Sequence, residues 1–563
     1  MNGQPGPQTQ LNPELQAGGL DNMGNILSAI TAHDNPSPAL MRADQQTGMN
    51  NRQLGAFVSD MTVQLQQLGL RRHHKVALAL SEGEPSTVTA LLATINTSIA
   101  APMRRFENDE MTDISLDTIA PDVLVLDETV PNYSDIALLA SAKNIPVITL
   151  HPENDKNGKF TLRHNTDLSN LSKGEIAEPT EDDIAVLFQT SGTTGTPKLV
   201  AHTHGHFLHN ARIHTNTVGI HKNELRCLNV LSQRAQWGVT TALTTLLSGG
   251  TLMVYPHTNL NYASTGETKL AHLIETTQSN WVPLTPSNLV DLAGLMHKRP
   301  GIGQKLRDSA LQVLETSSSS AHPMLLEQVQ NELPLISLLQ TYGSTETGPI
   351  SANTSRNNKT GTVGCAVDGV EIKIVNGAGK QVADGEMGEL WVRSPSVARY
   401  YQNDEANRKS YTEDGFYKTG DIVALDADGH ITIVGRKSEI FVVNDREVIP
   451  AALDKVAQTI PAVKEAATFP VTNEGQTTVG MILAIGEGTN PADAAESLRQ
   501  TLGDIPVHIF FASKIPQQYL TSKGSLRRGV MTQELSGRAG NAPEIHFLEL
   551  DAGRPASVGG PGR

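Results

Sequence analysis

The chain is 563 residues long, too long for one compact core and long enough for two or three. Its 38% hydrophobic and 18% charged residues are those of an ordinary folded protein and exclude disorder of the chain as a whole. A formal net charge of −15 excludes a nucleic-acid scaffold, which needs clustered Lys and Arg, although a local loop with a few cations can still grip phosphate.

The pattern from about residue 50 alternates between helical and strand stretches, after a Gly-, Pro-, Gln- and Asn-rich start expected to be a mobile tail. LGAFVSDMTVQLQQLGL has a helical period, KVALAL reads as a buried strand, and STVTALLATINTSIAAPM reads as one helix ending near Pro102. DVLVLD and IPVITL are short apolar strands with SDIALLASAK as a helix between them, and DDIAVLFQT is a further strand. Such alternation implies βαβ units and a parallel sheet. TALTTLLSG is expected to be helical and TLMVYP extended. Between about 360 and 435 the texture changes to short strands, VEIKIV, GELWV and HITIVG, set among Gly and Asp turns, which implies a small antiparallel or barrel-like region. Then follows a compact α+β segment through VHIFFA, and from about Gly537 a Gly-, Pro- and Ala-rich end expected to be disordered.

Cys227 and Cys365 have no CxxC spacing, so neither a disulfide framework nor a zinc knuckle is expected. The opening MNGQPGPQTQ lacks the basic and apolar regions of a signal peptide, no run has the apolar length of a membrane span, and the final PGR is not a peroxisomal address. A cytoplasmic location is the expectation.

The strand ending at Thr190 runs into Thr190-Ser191-Gly192-Thr193-Thr194-Gly195-Thr196-Pro197-Lys198. A loop of this composition after a strand can turn several backbone N–H groups toward one anion. Gly192 and Gly195 permit positive φ, the hydroxyls of Ser191, Thr193, Thr194 and Thr196 add donors, and Lys198 supplies a cation. The spacing is not that of the GxxxxGK[ST] nucleotide loop, and taken alone the run could equally be a plain surface loop. Five histidines in HTHGHFLHNARIH (202–214) invite a metal reading, but no Cys or carboxylate completes a ligand set within the segment.

SGTTGTPK, followed by His204, resembles the signature loop of the adenylate-forming superfamily of acyl-CoA synthetases, luciferases and peptide-synthetase adenylation domains. Further motifs follow in that family's order: QTYGSTETG (340–348), Gly388-Glu389-Leu390, DGFYKTGD (414–421) and GRKSEIFVVNDREVIP (435–450). The resemblance extends from about residue 50 to 530 and implies that the loop grips the β and γ phosphates of ATP. It implies that Glu346, with Thr194, holds Mg²⁺ and that Thr345 hydrogen-bonds the α-phosphate. Tyr342, beside Gly343, offers a flat face to adenine, Asp421 accepts the ribose hydroxyls and Arg436 braces the ribose. Turn capping is the alternative for Glu346 and Asp421. The family's lysine from the C-terminal domain, which bridges substrate carboxylate and phosphate, corresponds to Lys523; here the Gly usually before it follows it instead. A solvated surface lysine is the alternative for Lys523.

Three departures bear on the product. LSQRAQWGV (231–239) lies where relatives read PxxHxxG, so that Ala235 replaces a gating His or aromatic. Arg234 and Gln236 could face a polar substrate, with exposure to solvent the simpler expectation for Arg234. Ser317 to Ser320 and Ala321 replace a Gly-Gly-Ala stretch, making the pocket narrower and more polar; a small or polar acid is expected. The acid pocket is assigned to His204, Ala235, Gln236, Trp237, Ser320 and Ala321, and His204 also sits where the family has a structural histidine. Ser438, Val442 and Asp445 depart from the family's hinge, lysine and glycine; the charge of Asp445 should repel an attacking thiolate.

The implied fold is α/β: a large N-terminal domain of two sheet subdomains plus a small β region, followed by a mobile α+β C-terminal lid. The expected divisions are a tail over 1–22, the N-terminal domain over 23–434, the lid over 435–536 and a second tail over 537–563. The implied activity is ATP-dependent activation of a carboxylic acid with Mg²⁺, then transfer to a thiol with CoA as a candidate acceptor. The alternatives are transfer to a carrier protein or an amine, and a nucleotide-binding pseudoenzyme.

Overall fold

A computed structural model describes residues 24–563 except 105, 154–156, 165–167, 169–170, 172–173, 191–196, 222, 257–259, 261–268, 318–320, 322, 355–356, 445, 474, 487, 503–504, 506, 521–525, 537–544, 550–556 and 560–563. The chain divides into two compact units: residues up to 360, 364–371 and 392–417 form the first, and 361–363, 372–391 and 418 onward the second. The expected boundary at 434/435 falls inside the strand Ile431–Arg436, whose hairpin partner Tyr417–Leu425 is shared almost wholly with the second unit.

The first unit carries two sheets among its described residues. One runs in the order Arg399–Tyr400, Leu199–Thr203, Ile184–Gln189, Ile99–Pro102, Lys75–Ala79, Val123–Asp127, Val147–Pro152 and Phe160–His164. Its centre is parallel, and the pairs toward its two edges are antiparallel. The second has the parallel strands Arg226–Asn229, Thr251–Val254, Trp281–Leu284, Val313–Thr316 and Ser337–Ser344 at its heart, and then turns antiparallel at Gly348–Asn353. Helix Asn51–Gln67 appears where the period requires it, opened by a capping box of Asn50 and Gln53.

The single helix expected over 86–103 is a correction. Helix Pro85–Thr97 ends at Ser98, whose backbone is extended, and Ile99–Pro102 forms a strand parallel to Lys75–Ala79. The whole run is buried, so its apolar pattern carried no period by which to divide it.

The second unit holds a four-stranded sheet in the order Glu371–Val375, Met387–Arg393, Tyr417–Leu425 and Ile431–Arg436, matching the expected small β region. It also holds an α+β part on the strands Val463–Asn473, Gln476–Ile485 and Val507–Ala512. A second correction concerns the C-terminal end: Ile545–Glu549 pairs parallel with Val507–Ala512, and Ser557–Gly559 returns antiparallel to it. The strand IHFLE is a β-forming island inside a Gly/Pro-rich stretch, and average composition hid it. Among the described residues, no helix is long and apolar enough to cross a membrane.

Candidate active site

The phosphate-loop residues Ser191, Gly192, Thr193, Thr194, Gly195 and Thr196 lie outside the described residues, but the two ends of the loop are fixed. Thr190 N–H donates to the Lys198 carbonyl at 2.8 Å, and Lys198 N–H donates to Thr190 Oγ1 at 3.3 Å. Lys198 then enters the strand Leu199–Thr203, with its Nζ 5.0 Å from the centre of the Tyr400 ring.

The YGSTE motif leaves the sheet at the end of strand Ser337–Ser344, where the register to Gly348–Asn353 shifts between Tyr342 and Gly343. A Cβ on Gly343 would stand 2.1 Å from the Gly348 carbonyl oxygen, and Gly348 itself has φ +65, so both glycines are required for so tight a return. Ser344 and Thr347 close the turn, with Thr347 Oγ1 accepting from Ser344 N–H at 3.1 Å and Ser344 Oγ accepting from Glu346 N–H at 3.2 Å. Those short hydroxyls do the capping. The Glu346 carboxylate is turned elsewhere, its Oε1 accepting from the Tyr400 hydroxyl at 3.1 Å. The Thr345 carbonyl accepts from His202 Nε2 at 2.7 Å, and the Glu346 carbonyl from Ala398 N–H at 2.7 Å. The first unit therefore brings Lys198, Thr345 and Glu346 together through His202 and Tyr400, two residues that sequence reasoning did not assign to the site.

His202 and His204 alternate along the chain and are both fully buried, at 0% exposure. Burial holds His202 down to about 3 and His204 and His206 down to about 4, so all three are neutral at pH 7. His204 Nδ1 accepts from Ile26 N–H and its Nε2 donates to the Ile95 carbonyl. With both nitrogens engaged in the core, the ring presents no surface to a substrate; the structural role fits it and the pocket role does not.

These histidines bind protons more readily in the unfolded chain, near pH 6.5, than in the folded one. Their neutral-state stabilisation is thus complete above pH 6.5 and is lost as the pH falls toward 4. We expect the urea midpoint of the first unit to fall between pH 7 and 5, and His202→Gln to flatten that slope. A slope unchanged by the substitution would remove His202 from the explanation.

Behind the motif lies a buried polar network. Glu315, 1% exposed, accepts from Thr341 Oγ1 at 2.8 Å, Trp281 Nε1 at 3.0 Å and His214 Nε2 at 3.0 Å. Ser317 Oγ donates to the Thr341 carbonyl at 2.9 Å, so the serine-rich segment and the strand leading to Tyr342 are tied at one residue.

In the segment assigned to the acid pocket, Ala235 is the N-cap of helix Gln236–Leu247 and makes no side-chain cap. Gln236 donates to Thr240 Oγ1 at 2.9 Å, on its own helix. Trp237 Nε1 is buried without a hydrogen-bond partner among the described residues. Ala321 is 7% exposed, and Ser320 lies outside the described residues. Arg234 does not point to solvent. Its guanidinium lies 3.9 Å from the centre of the Phe106 ring, 3.4 Å from Glu82 and 3.2 Å from the Leu80 carbonyl. Burial lowers its pKa, and Glu82 and Glu107 oppose that shift. With Leu78, Leu80, Glu82, Thr87, Leu91, Pro102 and Gln233 it lines a small cavity.

The second unit gathers three motifs. Asp421 and Arg436 face each other across a strand pair, with Oδ1 2.8 Å from Nε. Arg436 also donates to the Thr419 carbonyl at 3.2 Å, Thr419 Oγ1 donates to the Leu390 carbonyl at 2.7 Å, and Lys437 meets Glu389 at 2.9 Å. Asp421 is 4% exposed and lies within a strand, so it is no turn cap. Lys523 and Asp445 lie outside the described residues. Val442 is exposed on the hairpin Phe441–Val443/Arg446–Val448. Among the described residues, the metal-compatible cluster is Asp426, Asp428 and His430 on a hairpin turn of the second unit, and it includes none of the histidines of 202–214.

The AMP-binding enzyme family matches residues 30–402, and the chain belongs to that family. It is 29% identical to 4-coumarate--CoA ligase-like 2 of Arabidopsis thaliana over 52% of this chain and 50% of that protein. It is 26% identical to the probable CoA ligase CCL5 of Humulus lupulus over 59% of this chain and 60% of that protein. These matches therefore span only half to three-fifths of the relatives' own length. The fold is shared with ATP-bound MatB from Rhodopseudomonas palustris, at a TM-score of 0.77 and 20% identity over 92% of this chain and 99% of that one.

Proposed function

We propose that the chain activates a carboxylic acid with ATP, forming an acyl-adenylate and releasing pyrophosphate, and then passes the acyl group to a thiol. The observation that carries this reading is the meeting of Lys198 and Glu346 on Tyr400, beside a Thr345 fixed by His202. A cation at the end of a Gly/Thr loop and a hard oxygen ligand, held on one support, suit a magnesium–triphosphate. The names of the CoA ligases it resembles support the thiol acceptor.

Glu346 fits Mg²⁺ because, among the described residues, Oε1 is occupied by Tyr400 while Oε2 makes no hydrogen bond. Mg²⁺, when bound, would neutralise phosphate charge. The remaining work is positioning. A substrate carboxylate oxygen forms a bond to the α-phosphorus as the bond to pyrophosphate breaks, and no protein nucleophile is required. Thr345 would hydrogen-bond the α-phosphate, Tyr342 would stack on adenine, and Asp421 with Arg436 would hold the ribose. The expected small or polar acid now rests on different groups. Arg234 is committed to Glu82 and Gln236 to Thr240, which leaves the Trp237 indole N–H as a buried donor unpaired among the described residues. An acid carrying a hydrogen-bond acceptor suits it better than a long alkyl chain does.

Acid-dependent ATP–pyrophosphate exchange over a panel of carboxylic acids tests this, with exchange expected for a subset of small or polar acids. ATP binding without exchange for any acid would instead favour a nucleotide-binding protein without catalysis. Products formed with CoA, amines and carrier proteins then identify the acceptor.

A further inference from the structure

Tyr400 lies on the short strand Arg399–Tyr400, which runs antiparallel to Leu199–Thr203 with Tyr400 opposite Val200. That register sets its ring beside Lys198, whose Nζ is 5.0 Å from the ring centre and so within cation–π range. The hydroxyl of the same ring donates to Glu346 Oε1 at 3.1 Å. The ring has little freedom to leave: it is 8% exposed and packs edge-on to Tyr411, and the Tyr417 hydroxyl lies 3.4 Å from its own. A phenol is protonated at neutral pH, so toward a carboxylate the Tyr400 hydroxyl acts as a donor.

A buried tyrosine hydroxyl needs a hydrogen-bond partner whatever its role, and the Tyr417 hydroxyl 3.4 Å away would serve a tyrosine that only filled the core. This one places its polar end on the carboxylate of the YGSTE motif and its face under the lysine that closes the phosphate loop. A carboxylate with one oxygen held by a fixed donor keeps one orientation, and its other oxygen stays available to a cation. We propose that Tyr400 is a positioning residue of the adenylation site, whose hydroxyl orients Glu346 for the magnesium of bound ATP while its ring supports the Lys198 ammonium. This rests on the proposed function for the identity of the ligand, but the test below needs no turnover.

Tyr400→Phe removes the hydroxyl and keeps the ring. In the full chain with a non-hydrolysable ATP analogue, Mn²⁺ affinity followed by electron paramagnetic resonance should fall about tenfold, as expected when a partner that orients a metal ligand is lost. Affinity for the metal-free analogue should stay within about twofold of the parent, because Lys198 keeps its platform. Tyr400→Leu should weaken both. Wild-type Mn²⁺ affinity in Tyr400→Phe, or equal losses with and without metal, would overturn the proposal. Should Tyr400→Phe also lower the melting temperature, a double-mutant cycle with Glu346→Gln decides: effects on Mn²⁺ that fail to add support the proposal, and additive effects refute it. A parent chain that binds the Mn²⁺–analogue complex but exchanges no pyrophosphate would fail the proposed reaction and leave this result readable. A parent chain that binds neither would overturn both.

Discussion

Replacing Glu315 with leucine should cost the first unit about 3–5 kcal/mol, the range for taking one partner from a buried charged network. Leucine nearly fills the volume, so the cost comes from what remains. His214 Nε2, Trp281 Nε1 and Thr341 Oγ1 all donate to this one carboxylate, and all three residues are buried. Each stranded donor pays its desolvation without return. Glu315→Gln should be milder, because one amide oxygen can still accept from Trp281 or Thr341 and a change of His214 tautomer can accept the amide hydrogen. The loss should also reach the site. Thr341 precedes Tyr342 and accepts at its carbonyl from Ser317, so a loosened Thr341 should raise the KM for ATP in Glu315→Gln. Urea unfolding followed by near-ultraviolet circular dichroism, which reports the packing of Trp281, measures the first effect. A leucine variant within about 1 kcal/mol of the parent would mean that the three donors find other partners.

The motifs were legible because each is a short run in which spacing fixes chemistry. Lys198, Thr345, Glu346, Asp421 and Arg436 could be chosen from local text, and the structure adds an assembled setting within each unit for those it describes. Tyr400, His202 and Glu315 could not be chosen. Their importance comes from partners far along the chain, Tyr400 with Glu346, His202 with Thr345 and Glu315 with His214, and no periodicity encodes such contacts. Arg234 shows the reverse failure. The usual exposure of arginine argued for solvent, but Glu82 and Phe106 together make a buried place for it. The strand/helix division at Ser98 and the strand Ile545–Glu549 were hidden for simpler reasons. One lay in an unbroken apolar run and the other in a segment whose average composition resembled a tail.

Lys523→Ala should lower acid-dependent pyrophosphate exchange by about 100- to 1000-fold, the loss seen when one preorganised charge or donor is removed from a developing anion. A cation shared by the attacking carboxylate and the α-phosphate lowers their repulsion as they approach, so its loss should fall on kcat more than on ATP affinity. Lys523 lies outside the described residues, but the chain on both sides is held. Leu520 and Leu526 form an antiparallel bridge, Arg527 N–H donates to the Tyr519 carbonyl at 2.8 Å, and Arg527 Nη1 donates to the Gln518 carbonyl at 3.1 Å. The next residue anchors the segment further: Arg528 is buried against Asp454 at 2.7 Å and Glu439 at 2.9 Å. The contacts that hold the chain on either side of the displaced Gly524 therefore do not involve that glycine. That separates two variants. Arg528→Ala should lower the melting temperature by leaving Asp454 buried without its cation, whereas Lys523→Ala should leave stability and ATP binding unchanged while exchange collapses. Lys523→Arg should restore only part of the rate, because a planar guanidinium cannot place a point charge between two oxygens as an ammonium does. Full exchange in Lys523→Ala would assign the bridging charge to another residue and make the Ser-Lys-Gly order the mark of an ordinary loop.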